Sequence, residues 1–209
     1  MKKEKALKIY NLIKKKYGQI TTALVYKNAF ELLVATILSA QCTDVRVNKV
    51  TPSLFKKYKT PKEFALLKQE ILEKEIKSTG FYKNKAKNII TTSKMIDEKF
   101  DGKVPKKMED LVSLAGVARK TANIVLYHAY GKNVGIAVDT HVKRLSFRMG
   151  FTKETNPEKI EQDLMKLFPK HIWGELTNKL IEHGRKTCNA RSPKCGECAI
   201  KKECLKNGL

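Results

Sequence analysis

Four of the five cysteines in this 209-residue chain, Cys188, Cys195, Cys198 and Cys204, fall within its last 22 residues, while Cys42 stands alone. The spacing Cys-x6-Cys-x2-Cys-x5-Cys supplies one complete set of four thiolate ligands, with a single CxxC knuckle. The N-terminus, MKKEKALKIYNLIKKKYG, repeats lysine before any apolar export segment develops, so a reducing compartment is expected. There, a metal or cluster site is favoured over two tail disulfides. Thiolate-only ligation suits a structural zinc ion or an iron–sulfur cluster, and ligand softness does not separate them. The long outer spacings fit ligands that reach around a cubane, so a [4Fe–4S] cluster is expected and zinc stays as the alternative. A loop pinned at both ends in this way would present Arg191 and Lys194 as fixed phosphate contacts.

The rest of the chain has a helical period almost throughout and no sustained alternation of period two, which predicts an all-α fold. Lys5 to Lys16 reads as a basic amphipathic helix, and FELLVATILSA, from Phe30 to Ala40, as a buried central helix. Further helices are expected at about 44–58, 61–67, 70–77, 83–100, 108–114, 119–130, 140–149, 157–168 and 172–185. Periodicity does not say which of these the N-terminal helix packs against. No stretch approaches the roughly 20 apolar residues of a membrane span, so a soluble chain of the cytoplasm or nucleoid is expected. Lys and Arg outnumber Asp and Glu by 43 to 21, a formal charge of +22, which makes an acidic polymer the first partner to consider. Arginine contributes only six of these cations, and a lysine-rich proteome would account for part of the excess.

Three further features carry possible chemistry. The segment LAGVARKTA, from Leu114 to Ala122, joins two helices through Gly116, Val117 and Ala118, placing backbone amides at a helix N-terminus where a phosphate can bind. An ordinary helix connection would read the same way. Lys120 lies just inside the following helix, where the positive dipole end and Arg119 favour a neutral, nucleophilic amine, against the plain reading of one more solvated lysine. Asp139, in AVDTH, has the position of an N-cap, and a cap of this kind is also available as a base or electrostatic stabiliser.

Taken in order, LLVATILSAQCTDVRVNK (32–49), GFYKNKAKNI (80–89), the hairpin with Lys120, AVDTHVKR (137–144), HGRKTC (183–188) and the cysteine spacing resemble the endonuclease III family. These are DNA glycosylases with associated lyase activity, of the helix-hairpin-helix superfamily. The resemblance implies two all-α domains: a helical barrel domain at 22–134 carrying the helix-hairpin-helix, and an iron–sulfur cluster domain from 1–21 and 135–209. Double-stranded DNA with damaged pyrimidines or abasic sites would lie across the cleft between them; with nothing in the sequence pointing to an obligate oligomer, a monomer is expected. It also implies that Lys120 attacks the sugar C1′ of an oxidised pyrimidine nucleotide with help from Asp139. Base loss, a Schiff base and β-elimination on the 3′ side would follow.

By the same resemblance, Gln41 and Phe81 match positions that fill the gap left by a flipped nucleotide. The family more often has leucine at the second, so Phe81 either wedges or packs in the core. Gly116, Val117, Ala118, Arg119 and Thr121 would line the DNA at the hairpin. The family hairpin usually reads Leu-Pro-Gly-Val-Gly, whereas Ala115 and Ala118 stand here. If position 118 needs a positive φ, its Cβ adds strain of about 1–2 kcal/mol, and replacing it with glycine would tighten DNA binding. Adenine glycosylases acting on mispairs share the fold, aspartate and cluster but generally lack the lysine and carry a further C-terminal domain. A cluster-bearing, non-enzymatic DNA sensor would explain the charge and the cysteines, but not Lys120 and Asp139.

Overall fold

A computed structural model describes all residues, 1–209, as helices and connecting segments without a β-strand. The chain divides into two compact units, Thr22–Lys132 and Met1–Thr21 with Asn133–Leu209. No helix is long and apolar enough to cross a membrane.

The contiguous unit holds α2 (Ala29–Leu38), α3 (Asp44–Lys57), α4 (Pro61–Ala65), α5 (Gln69–Ile76), α6 (Tyr82–Lys99), α7 (Met108–Val112) and α8 (Arg119–Tyr130). α2 is apolar on nearly every face and is the centre of this core, with Leu32, Leu33 and Leu38 fully buried. It packs against α3, α6 and α8. Short polar side chains start these helices by accepting orphan amides: Asn28 from Glu31 N at 2.9 Å, and Thr60 from Glu63 N in a reciprocal capping box. Two helices end earlier than hydrophobic period suggests. After Val112 the amides turn to tighter partners, Leu114 N donating to Leu111 O, and after Ala65 Leu67 N donates to Phe64 O.

The second unit combines α1 (Lys3–Tyr17) with α9 (Thr140–Met149), α10 (Pro157–Leu167) and α11 (Trp173–Lys186). The helix left unassigned by its periodicity lies against α11. Ala6, Ile9, Tyr10 and Ile13 form its buried stripe, at the spacing one helix face requires. Each large apolar side chain so buried contributes about 1.5–3 kcal/mol. Polar contacts then set the register of the pair. Tyr10 Oη donates to Glu175 Oε2 at 2.6 Å, Lys14 Nζ reaches the same oxygen at 3.2 Å, and Tyr17 Oη bonds Thr187 Oγ1 at 2.6 Å. Lys179, fully buried, donates to Gly18 O and pairs with Glu175 Oε1 at 3.3 Å.

The apolar segment before Asp139 has no helix or strand structure, so side chains take its backbone bonds. Ile136 N donates to Glu161 Oε1 at 3.1 Å, and Ala137 O accepts from Thr177 Oγ1 at 3.3 Å.

Burial opposes ionisation of Glu175, but the hydrogen bonds from Tyr10, Lys14 and Lys179 outweigh it and lower the carboxyl pKa. Tyr10→Phe should therefore cost about 1–2 kcal/mol, since it removes a short bond to a charged acceptor while keeping the ring. Lys14→Ala, at an exposed site, should cost under about 0.5 kcal/mol. Urea midpoints of the two variants check the order; equal shifts would contradict it.

Candidate active site

In the contiguous unit, two residues singled out from the sequence have unusual backbones. Gln41 and Phe81 have φ of 51° and 49°, two of only four non-glycine residues with positive φ. A non-glycine residue in the left-handed region costs roughly 1–3 kcal/mol and persists only where its surroundings impose it. Gln41 is held in a turn after α2, with Cys42 N donating to Ser39 O at 3.1 Å. Phe81 begins α6, its carbonyl accepting Lys85 N at 3.1 Å. The Phe81 ring is 62% exposed, which places it outside the core. Both residues line one cavity of about 250 Å³, together with Gly116, Thr121, Asn84, Lys85 and Asn88. Lys85 is buried and donates to Leu38 O and Thr79 O, each at 2.8 Å.

The hairpin between α7 and α8 borders the same cavity. Its positive φ belongs to Gly116, at 73°, where a Cβ would come within 2.8 Å of the Asn88 Cβ. Glycine is therefore required twice, by backbone and by space. Ala118 has φ −83° and ψ 167°, ordinary extended backbone, so the strain expected there does not exist and its relief gives no reason for Ala118→Gly to tighten binding. Val117 faces inward: its side chain is buried and its amide donates to Leu114 O at 3.2 Å. Thr92 Oγ1 donates to Ala115 O at 2.6 Å, tying to α6 the residue that replaces a restraining proline. Ala118 is exposed and starts α8 without a side-chain cap. Arg119, Lys120 and Thr121 form the first turn, where helical amides have no partner within the helix. The Lys120 side chain is exposed.

The other unit contains Asp139 and the cysteines. Asp139 caps α9, its Oδ1 accepting from Val142 N at 2.8 Å, and is half-buried. The four tail thiols line a small cavity of about 20 Å³ with Met149, His183 and Ile200. Burial pushes the Cys198 and Cys204 thiols up, and pushes His183 down to about 4. Arg191 and Lys194 are exposed on the loop between the first two cysteines.

Sequence reasoning missed the arginines that hold this loop. Arg148, almost fully buried, directs Nη1 to Asn189 O at 2.7 Å and Cys188 Sγ at 3.4 Å, and Nη2 to Ala190 O at 2.8 Å. One turn earlier on α9, Arg144 Nη2 reaches Gly184 O at 3.2 Å and Cys188 O at 3.1 Å. The available signal was a pair of arginines at i and i+4 in a chain whose 43 Lys and Arg include only six arginines. The C-terminal tail in turn holds the end of α9: Asn207 N donates to Arg148 O at 3.1 Å, and Asn207 Nδ2 to Phe147 O at 2.9 Å.

Residues 34–170 match the family of HhH-GPD superfamily base excision DNA repair proteins. Endonuclease III of Synechocystis sp. is 53% identical over 203 residues, 97% of this chain and 93% of that protein. Endonuclease III of Escherichia coli K12 is 42% identical over 204 residues, 98% and 96% of the two chains. A solved endonuclease III–DNA covalent intermediate, trapped as an estranged-adenine complex, superposes with a TM-score of 0.94 at 42% identity, covering 99% of this chain and 97% of that one. A thermostable thymine-DNA glycosylase shares the fold, with a TM-score of 0.84 at 21% identity over 97% and 95% of the chains. Sequence identity at this level over nearly the whole length leaves one assignment: the chain belongs to the endonuclease III family, within the HhH-GPD superfamily of base excision DNA repair proteins.

Proposed function

We propose that this chain is a monomeric base excision repair enzyme of the cytoplasm and nucleoid that removes oxidised pyrimidines from duplex DNA and cleaves the abasic site through a lysine Schiff base. The observation that carries this reading is the match to a relative caught covalently on DNA, with an exposed lysine, Lys120, in the first turn of α8 beside the glycine hairpin. We read Thr22–Lys132 as the helical barrel domain and the remainder as the cluster domain.

Lys120 Nζ forms a bond to C1′ as the glycosidic bond breaks and its electron pair leaves with the base. The Asp139 carboxylate, held by its capping bond to Val142 N, stabilises the positive charge developing at C1′ or accepts the amine proton. Ring opening gives an imine between Lys120 and the sugar. A proton then leaves C2′, the C3′–O bond breaks, and the 3′ phosphate departs with the electrons. Water hydrolyses the imine and frees the lysine. For Nζ to reach C1′ the nucleotide must leave the stack, and Gln41 and Phe81 fill the vacancy. The exposed Phe81 ring has a face to stack in that role. Gly116, Ala118, Arg119 and Thr121 present the amide face to a backbone phosphate, with Val117 anchoring the hairpin from inside. Arg191 and Lys194 supply further phosphate contacts.

Four thiols gathered on one pocket make a complete soft-ligand set, which suits a thiolate-held iron–sulfur cluster. Cys188, Cys195, Cys198 and Cys204 would hold a [4Fe–4S] cluster. Bound there, the cluster supplies a structural crosslink that fixes the tail and the loop carrying Arg191 and Lys194.

With a duplex containing one thymine glycol, borohydride should leave the protein covalently attached to DNA. Lys120→Ala should lower that trapping by at least about 100-fold while keeping most DNA binding; trapping that persists would remove Lys120 from the nucleophile's role. Elemental analysis should find iron and acid-labile sulfide in equal amounts, and stoichiometric zinc would refute the cluster. Ala118→Asp should stabilise α8 by about 0.5–2 kcal/mol by capping it, yet weaken DNA binding at matched salt, since a carboxylate then occupies amides meant for phosphate. A higher melting temperature with unchanged Kd would rule out phosphate binding at this hairpin.

A further inference from the structure

Gln41 and Phe81 lie on two separate segments, one leaving α2 and one entering α6, and nothing in either segment alone sets the distance between them. Both have left-handed backbones that local sequence does not favour. Lys85 lies one turn into α6, its amide bound to Phe81 O. Its side chain turns inward rather than to solvent and is only 4% exposed. There Nζ donates at 2.8 Å to Leu38 O, at the last residue of α2 and three residues before Gln41. It donates at the same distance to Thr79 O, two residues before Phe81. An ammonium between carbonyls left unbonded at a helix end satisfies both and meets the negative end of the α2 dipole. Burial pushes the Lys85 amine down, partly countered by Cys42, and its short bonds are to carbonyls rather than a carboxylate. A buried cation of this kind is costly, which argues for a purpose beyond stability.

We propose that Lys85 is a positioning residue that clamps the Gln41 and Phe81 segments together, fixing the spacing with which the pair enters the helix stack. This rests on the gap-filling role given to the pair above. The clamp is needed only where a duplex has a partner base and a vacancy; an abasic site in single-stranded DNA makes no such demand.

The test compares single-turnover excision of thymine glycol from a duplex with β-elimination at an abasic site in a single strand. In Lys85→Met the ratio of duplex to single-strand rate should fall at least about tenfold. Lys85→Arg, whose fork can span two carbonyls, should recover most of it. Removing Gln41 and Phe81 to alanine should cost much less in the Lys85→Met background than in the unaltered protein, because the clamp and the clamped residues act as one unit. Lys85→Gln, a milder loss of reach, carries the same comparison should the methionine variant fail to fold. Equal falls on both substrates, or additive losses, would overturn the clamp and leave Lys85 a general stabiliser. An unaltered protein inactive on both substrates would instead overturn the function on which the clamp rests.

Discussion

Glu175 receives Tyr10, Lys14 and Lys179 on one carboxylate, and that convergence joins two pieces of chain separated by the whole of the contiguous unit. Three donors compensate the removal of charge from water, which neither lysine would do alone. The apolar stripe of α1 drives the association, but such a stripe tolerates sliding; directional bonds at Tyr10, Tyr17 and Lys179 fix where along α11 it stops. With α11 so placed, His183 and Cys188 at its end are set for the thiol-lined cavity, and α9 packs against its side.

Hydrophobic period and capping chemistry made the helices legible in the sequence. Thr60-Pro61, Asn156-Pro157 and Asp139-Thr140 mark starts, and glycines at 131 and 150 mark ends, because each acts within one turn of chain. The cysteine set was legible for the same local reason. Lys85, Arg148 and Lys179 were not. A charged residue reads as surface until the carbonyls that receive it are known, and these lie up to 161 positions away. The hairpin shows a narrower failure. Comparison with a family pattern drew notice to Ala118, while the residue whose backbone needs glycine was Gly116, visible by type alone; what the sequence hid was Asn88 standing behind it.

Helix starts in the two units differ in their capping. α6 and α8 both border the cavity of the contiguous unit, and both start on residues, Phe81 and Ala118, that offer no side chain to the first amides. α9 instead begins on a carboxylate that caps it. The two kinds of helix start suit opposite partners: amides without a side-chain cap can receive an external anion, whereas Asp139 brings its own negative charge and is ordered by the amide it caps.

α9 is held at both ends by groups of different kinds, Asp139 at its start and the tail residue Asn207 on the carbonyls of its last turn. Ten residues of α-helix make a stiff rod of roughly 15 Å. Because Arg144 and Arg148 fasten the same rod to the loop beyond Cys188, the cysteine tail and the aspartate are mechanically in series. Slack in the tail thus becomes an axial or rotational displacement of a carboxylate more than two helical turns away, so that group's position is only as well defined as the fastening at the far end of the rod.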